Sequence, residues 1–231
     1  MIGNVDDQPA FILHRRDYRE SSLLLELITA DHGRVPALAR GARKRRDVGS
    51  FQPGCRLSVG WRGRGELKTL AGIESRRIEI PADCQLPLLY VNELLIALLP
   101  RFEPQPGLFE RYQHLLLSFA AGDLQAALRG FEMDLLATLG LMPSLDRQAD
   151  GSALQPDLYY RMQPQGGLQP CMDNHSGALT GKRWQAIAER DFGSEEPRSD
   201  ALRVLRKIID SNLGGRELQS RKLYLQMTRK D

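Results

Sequence analysis

The sequence predicts an α+β protein: a small closed β-barrel up to about residue 80, then a mainly α-helical domain over 81–231. Three observations predict it. Short apolar segments separated by turn residues fill the first part, a helical apolar period takes over after Pro81 and Pro87, and basic residues concentrate before the change. With 231 residues the chain can bury a core without staples. Its 42% hydrophobic and 26% charged content fits neither intrinsic disorder nor a membrane protein, and no run approaches the 18 apolar residues of a bilayer span. Met1–Asp7 holds two acids and no basic stretch leading into an apolar core, so a secretory signal is not expected and the cytoplasm is.

Five segments read as strands: 10–13, 22–29, 34–39, 57–61 and 67–73. In the fourth, Leu57, Val59 and Trp61 alternate with Ser58 and Gly60, the period of two that turns one face to a core and the other to water. That alternation gives Trp61 a core role ahead of a base-stacking one and puts Arg56 and Arg62 on the wet face. Asp31-His32-Gly33 and Gly63-Arg64-Gly65 supply hairpin turns, where glycine reaches positive φ at little cost. Five short strands in about 75 residues suggest a barrel of the OB-fold type, which removes exposed edges and binds single strands.

After residue 81 the leucines follow a helical period. Segment 88–99 carries Leu88, Val91, Leu94, Leu95, Leu98 and Leu99 before Pro100; 108–120 repeats the pattern before Gly122; and 124–139 does so before Gly140. Such stripes are core in the first instance. The stretch 143–179, rich in glycine and proline, reads as an irregular insertion with short strand-like pieces such as 158–162. Thr180 is expected to cap a helix over 181–190 and Ser199 one over 200–213 that stops at Gly214-Gly215. A last short segment, 218–227, carries Arg221 and Lys222, with Arg229 beyond it.

Charge is uneven. Residues 1–80 hold 15 Lys/Arg against 10 Asp/Glu, while the remainder holds 17 against 19. Within the basic part, His32–Arg46 contains Arg34, Arg40, Arg43, Lys44, Arg45 and Arg46 and no acid, and Arg62, Arg64 and Lys68 form a second group. Two basic groups flanking strand patterns point to a polyanion, hence nucleic acid. On the residues alone the polyanion could be single-stranded DNA or structured RNA.

Catalytic patterns are not met. Gly177-Ala178-Leu179-Thr180-Gly181-Lys182 has three residues between its glycines where a phosphate loop has four, and Arg183 stands where Ser or Thr would hold magnesium. Gly60, Gly63 and Gly65 lack dinucleotide spacing and read as a hairpin. The four histidines are scattered, and Glu195-Glu196 falls in a polar stretch. Three cysteines without a CxxC leave Cys171 and His175 as the one close ligand pair, too few for a closed zinc site. An enzyme would need a site in 143–179 built without a known motif.

Residues 10–46, AFILHRRDYRESSLLLELITADHGRVPALARGARKRR, and 62–74, RGRGELKTLAGIE, resemble the start of the RecO family of bacterial recombination mediators. LLYVNELL at 88–95, ALRGFEMDLLATLG at 127–140 and LGGRELQSRKLY at 213–224 are similar to strings of that family in the same order, so the resemblance covers nearly the whole chain. It implies a protein without catalysis or cofactor that binds single- and double-stranded DNA, anneals strands coated with single-stranded-DNA-binding protein and, with RecR, helps load RecA, in the cytoplasm at the nucleoid. The nine basic residues above would screen the phosphates; about five of them on a single strand correspond to a log K versus log salt slope near −3.5. The resemblance also implies contact between the helix at 127–140 and the acidic tail of single-stranded-DNA-binding protein. Arg129 with Leu128, Leu135 and Leu136 would supply the cation and apolar groove that such a tail needs. Relatives often carry two adjacent basic residues there; this chain has Arg129 followed by Gly130. Some relatives hold zinc through four cysteines after the third helix. Here Cys171 alone remains, so no metal is expected.

Overall fold

The structure, a computed structural model, describes residues 3–76, 78–119, 121–163, 166–173 and 175–228. Arg77, Ala120 and Arg229 lie outside them. The chain divides into two compact units, Met1–Gly122 with Arg216–Asp231, and Asp123–Gly215.

In the first unit β1 (Val5–Tyr18), β2 (Ser22–Thr29), β3 (Gly33–Ala39), β4 (Arg56–Arg62) and β5 (Lys68–Arg76) close into a barrel of order β1-β2-β3-β5-β4. This is the expected OB-type barrel. Closure depends on a short parallel seam, Ala37 opposite Lys68 and Leu38 opposite Thr69, which removes the last edge. Leu57, Val59 and Trp61 point inward and join Leu23, Leu25, Leu27 and Val35 in the core.

β1 is longer than its apolar centre because ladder hydrogen bonds need no apolar side chains. Its exposed ends, Asp6 and Asp7 before and His14 and Arg16 after, lie on strand all the same. The centre reads as a continuous apolar run because both faces are covered. Ala10 and Ile12 enter the barrel core, while the Phe11 ring lies 5.1 Å from Phe109 and 5.3 Å from Tyr112 on the helices outside.

Those helices are α1 (Gln85–Leu98) and α2 (Leu108–Ser118). α1 starts three residues before Leu88, since Pro87 is tolerated in a first turn, where no intrahelical donor is needed. The Tyr112 hydroxyl donates to Asn92 Oδ1 at 2.7 Å, joining α2 to α1 inside the unit. The change of period near residue 80 therefore does not coincide with the division into compact units.

The second unit contains α3 (Leu124–Thr138), β6 (Tyr159–Met162), β7 (Leu168–Pro170), β8 (Leu179–Thr180), α4 (Gly181–Ala188) and α5 (Glu195–Asn212). Asp123 caps α3, accepting from Ala126 N at 3.2 Å. The strands form a small antiparallel sheet of order β7-β6-β8 within the segment expected to be irregular. Trp184 of α4 donates from Nε1 to Tyr160 O at 3.0 Å and so locks helix to sheet.

Two helix starts differ from expectation. Thr180 sits at the N-cap of α4 with extended backbone, but its hydroxyl makes no capping bond. α5 begins at Glu195 after Ser194, so Ser199 is inside the helix rather than before it. Glu195 and Glu196 are its first turn, where carboxylates favour the positive end of the helix dipole, and Pro197 is tolerated there.

A final helix, α6 (Gln219–Thr228), returns to the first unit. Glu93 of α1 caps it, its carboxylate accepting from Gln219 N at 3.0 Å, Ser220 N at 2.8 Å and Ser220 Oγ at 2.5 Å. Among the described residues no helix is long and apolar enough to cross a membrane.

Candidate nucleic-acid interface

Strand direction separates the two basic groups. β5 runs parallel to β3 and antiparallel to β4, so Ala39, Arg56, Arg76 and the turn between β1 and β2 share one end of the barrel. Arg62, Lys68 and the turn between β2 and β3 share the other. The run through Arg40–Arg46 is therefore at one mouth, and Arg62 and Arg64 are at the opposite one.

At the first mouth, Gly41 turns with φ 67 into a short 3-10 turn over Ala42–Lys44. The buried Ala42 side chain anchors this loop in the barrel core and leaves its four neighbours Arg43–Arg46 exposed. Arg43 is tied down: its Nη1 donates to the carbonyls of Arg19 (3.1 Å) and Glu20 (3.3 Å), and Nη2 meets Asp17 at 3.2 Å. Arg45 forms a two-pronged pair with Asp47 at 2.8 and 2.9 Å, which holds that carboxyl below its usual range. Arg40, Lys44 and Arg46 have no side-chain partner among the described residues.

At the second mouth Arg62 donates to Val5 O at 2.9 Å and pairs with Asp6, while Arg64 is exposed and unpaired among the described residues. Exposed ion pairs of this kind are worth about 0–1 kcal/mol. Arg43, Arg45 and Arg62 can therefore exchange their carboxylates for phosphates at small cost, and the unpaired four need exchange nothing.

Two residues expected at the interface are not on it. Arg34 has a side chain only 13% exposed; it donates to Glu26 Oε2 at 3.1 Å and to Leu99 O at 3.0 Å, while Arg101 takes the other Glu26 oxygen at 2.8 Å. Burial, the dominant influence, pulls the Arg34 pKa below its ordinary value. Its alternation along β3 aims it at the segment 99–102, whose Phe102 N donates to Arg34 O at 2.9 Å. Lys68 is 1% exposed, with Nζ donating to Gly63 O at 3.1 Å and lying 5.2 Å from the Phe102 ring centre. It braces the turn that carries Arg64 instead of meeting solvent. Trp61 is fully buried, edge-on to His32 at 5.2 Å.

Other cations join the first mouth. Arg56 and Arg76 stand directly opposite each other on β4 and β5, two like charges that an anion would reconcile. Arg16 near the end of β1 and Arg19 in the turn that follows it are exposed. The alternation around Trp61 marked Arg56, but register alone brings Arg76 to it. The terminal cations serve packing: Arg221 stacks on Tyr90 at 5.6 Å, Lys222 pairs with Glu217, and Arg216 reaches Ala97 O at 3.5 Å.

The expected tail site has a different geometry. Leu128, Leu135 and Leu136 are buried core residues of α3, not the walls of an open groove, because the stripe that spaces them is the one that packs the helix. Arg129 is 3% exposed and donates from Nη2 to the buried Glu132 at 2.9 Å, while its Nε and Nη1 have no hydrogen-bond partner among the described residues. Cys171 has no second cysteine in its unit, as Cys55 and Cys84 belong to the first, so the residues present do not fit a four-cysteine zinc site.

A family model of the recombination protein O N-terminal domain matches residues 4–78, and one of the C-terminal domain matches 87–222. The DNA repair protein RecO of Methylococcus capsulatus is 42% identical over 224 residues, 93% of this chain and 91% of that protein. That of Halorhodospira halophila is 38% identical over 96% of this chain and 98% of its own length, and that of Pseudomonas paraeruginosa 38% over 94% of each. A solved asparaginyl-tRNA synthetase chain from Entamoeba histolytica aligns with 72% of this chain and 39% of its own at a TM-score of 0.28 and 11% identity.

Proposed function

Because the chain belongs to the RecO family of DNA repair proteins, we propose that it acts in repair as a recombination mediator, binding single- and double-stranded DNA and annealing complementary strands coated with single-stranded-DNA-binding protein. With RecR it helps load RecA, working at the nucleoid in the cytoplasm. The carrying observation is the loop at the first mouth, where Arg40, Lys44 and Arg46 project without side-chain partners among the described residues, beside the exchangeable Arg43 and Arg45.

Annealing needs no covalent chemistry. Two phosphate chains repel, and a folded surface that lends cations to both lowers that repulsion; weak, exchangeable contacts then let the duplex leave. Nothing in this account calls for a catalytic group or a cofactor. The acidic tail of single-stranded-DNA-binding protein meets α3 near Arg129 in this reading. Arg129 has two buried donors without a hydrogen-bond partner among the described residues, and at 3% exposure a tail carboxylate reaches them only where the packing of α3 opens.

The test is annealing of complementary strands precoated with single-stranded-DNA-binding protein, comparing wild type with a chain carrying Arg43, Lys44, Arg45 and Arg46 all changed to Ala. All four are exposed, so the variant should fold, which its thermal melt checks. Wild type is expected to anneal rapidly and the variant about ten-fold more slowly or worse. No annealing by wild type would overturn the mediator reading and favour a structured-RNA ligand for the same barrel.

A further inference from the structure

The second unit holds a cavity of about 740 Å³, within the size range of small-ligand sites. Its floor is apolar: Leu179 of β8, Trp184 of α4 and Val204 of α5 are all buried. Its walls are basic. Arg161 rises from β6, and Arg203, Arg206 and Lys207 from α5. Two carboxylates also line it, and both are occupied. Asp200 is gripped by Arg183 at 2.6 Å through each oxygen and by Arg203, and Asp210 faces Arg206 at 4.0 Å.

Arg161 and Lys207 are exposed and have no ion pair among the described residues, so their charge is uncompensated at the cavity wall. Gln163 also lines the wall, and its Nε2 is buried without a hydrogen-bond partner among the described residues. Gly177 turns at φ +80, a conformation that favours glycine, and stands close to Lys207 Nζ, the far end of a flexible side chain. The glycine-lysine string 177–182 does not make a phosphate loop, yet two of its residues, Gly177 and Leu179, line this basic cavity.

Uncompensated cations above an apolar floor suit an anion attached to a flat apolar body. We propose that this cavity binds a nucleotide unit of single-stranded DNA, phosphate between Arg161 and Lys207 and base on the Leu179 and Val204 floor, independently of the barrel. The site rests on the nucleic-acid reading of the chain and extends it. Annealing needs two strands held at once, and a second site would let one chain hold both.

The test uses the full chain and a short fluorescent poly-dT strand, with binding followed by anisotropy over a salt series. Changing Arg161 and Lys207 together to Ala should weaken binding several-fold and flatten the log K versus log salt slope by about 1.4, two single-strand contacts at about 0.7 each. Both residues are exposed, so the fold should survive, and Arg161→Glu should lower affinity further. Calorimetry with thymidine monophosphate separates sources: heat seen with wild type and lost in the double variant assigns the cavity to free nucleotides too, and no heat assigns it to the strand. The same pair is changed in the barrel variant lacking Arg43, Lys44, Arg45 and Arg46. If the barrel variant binds normally while the cavity pair still flattens the slope, the barrel reading fails and the cavity stands. Wild-type affinity and slope in the cavity variant, with thymidine monophosphate silent, would overturn the proposal. So would displacement by an acidic peptide with no response to the strand.

Discussion

Arg34 and Arg46 belong to one acid-free basic run, and their surroundings give them different work. Arg34 is clasped by Glu26 and Leu99 O and nearly buried, whereas Arg46 is exposed with no side-chain partner among the described residues. Arg34→Ala should therefore cost about 1–3 kcal/mol of stability, read as a lower urea midpoint, by removing the donor to the Leu99 carbonyl and to one Glu26 oxygen, the other staying with Arg101. DNA affinity of the folded fraction should hardly move. Arg46→Ala should leave the midpoint within about 0.5 kcal/mol and flatten the salt slope by about 0.7. The reverse pattern would show that burial does not sort these cations. A basic run announces a polyanion partner but not which of its members face it, because a strand aims each side chain by parity and by what packs outside.

At the scale of elements, α1 and α2 are joined through a wholly buried phenol. Burial is the largest influence on Tyr112 and raises its pKa above the ordinary value, against the smaller lowering from its bond to Asn92. In the unfolded chain a tyrosine ionises near pH ~10. The folded chain keeps that proton to higher pH, so the contribution is intact below about pH 10 and is lost as pH climbs further. Tyr112→Phe should lower stability at neutral pH by about 1–2 kcal/mol through the stranded Asn92, and should reduce the additional loss seen in urea melts above pH ~10. An unchanged alkaline slope would remove Tyr112 as its source. Elements with regular apolar periods were legible: five strands, and the three helices ending near Leu99, Ser118 and Thr138. α5 was harder, since Ser199 looks like a cap while the helix had already begun at Glu195. A first turn made of the exposed Glu195 and Glu196 and a half-buried Pro197 carries no apolar stripe, so hydrophobic period cannot detect it; helix-terminus electrostatics can.

For the whole molecule, the DNA affinity should reveal how many cations exchange. Arg40, Lys44, Arg46 and Arg64 are unpaired among the described residues, so a strand that meets only these gives a slope near −2.8, whereas recruiting Arg43, Arg45 and Arg62 from their carboxylates takes it toward about −4.9. A salt titration of wild type decides between them, and a slope near zero would take the barrel out of phosphate binding. Because the unpaired cations lie at both mouths, a strand touching all four must run the length of the barrel.

By itself the sequence determined the barrel-then-helices order, the inward Trp61 and the membership of the basic run, because these follow from local periodicity and composition. Tertiary structure decided what depends on closure and register. Parallel pairing of β3 with β5 sent the two basic groups to opposite mouths, the segment 99–102 enclosed Arg34 and Lys68, and antiparallel pairing set Arg56 against Arg76. In the second unit, β6, β8 and α5 placed Arg161 and Lys207, 46 residues apart in sequence, around one cavity. Periodicity reports which face a residue takes on its own element; only the packing of that element against others fixes what the face meets.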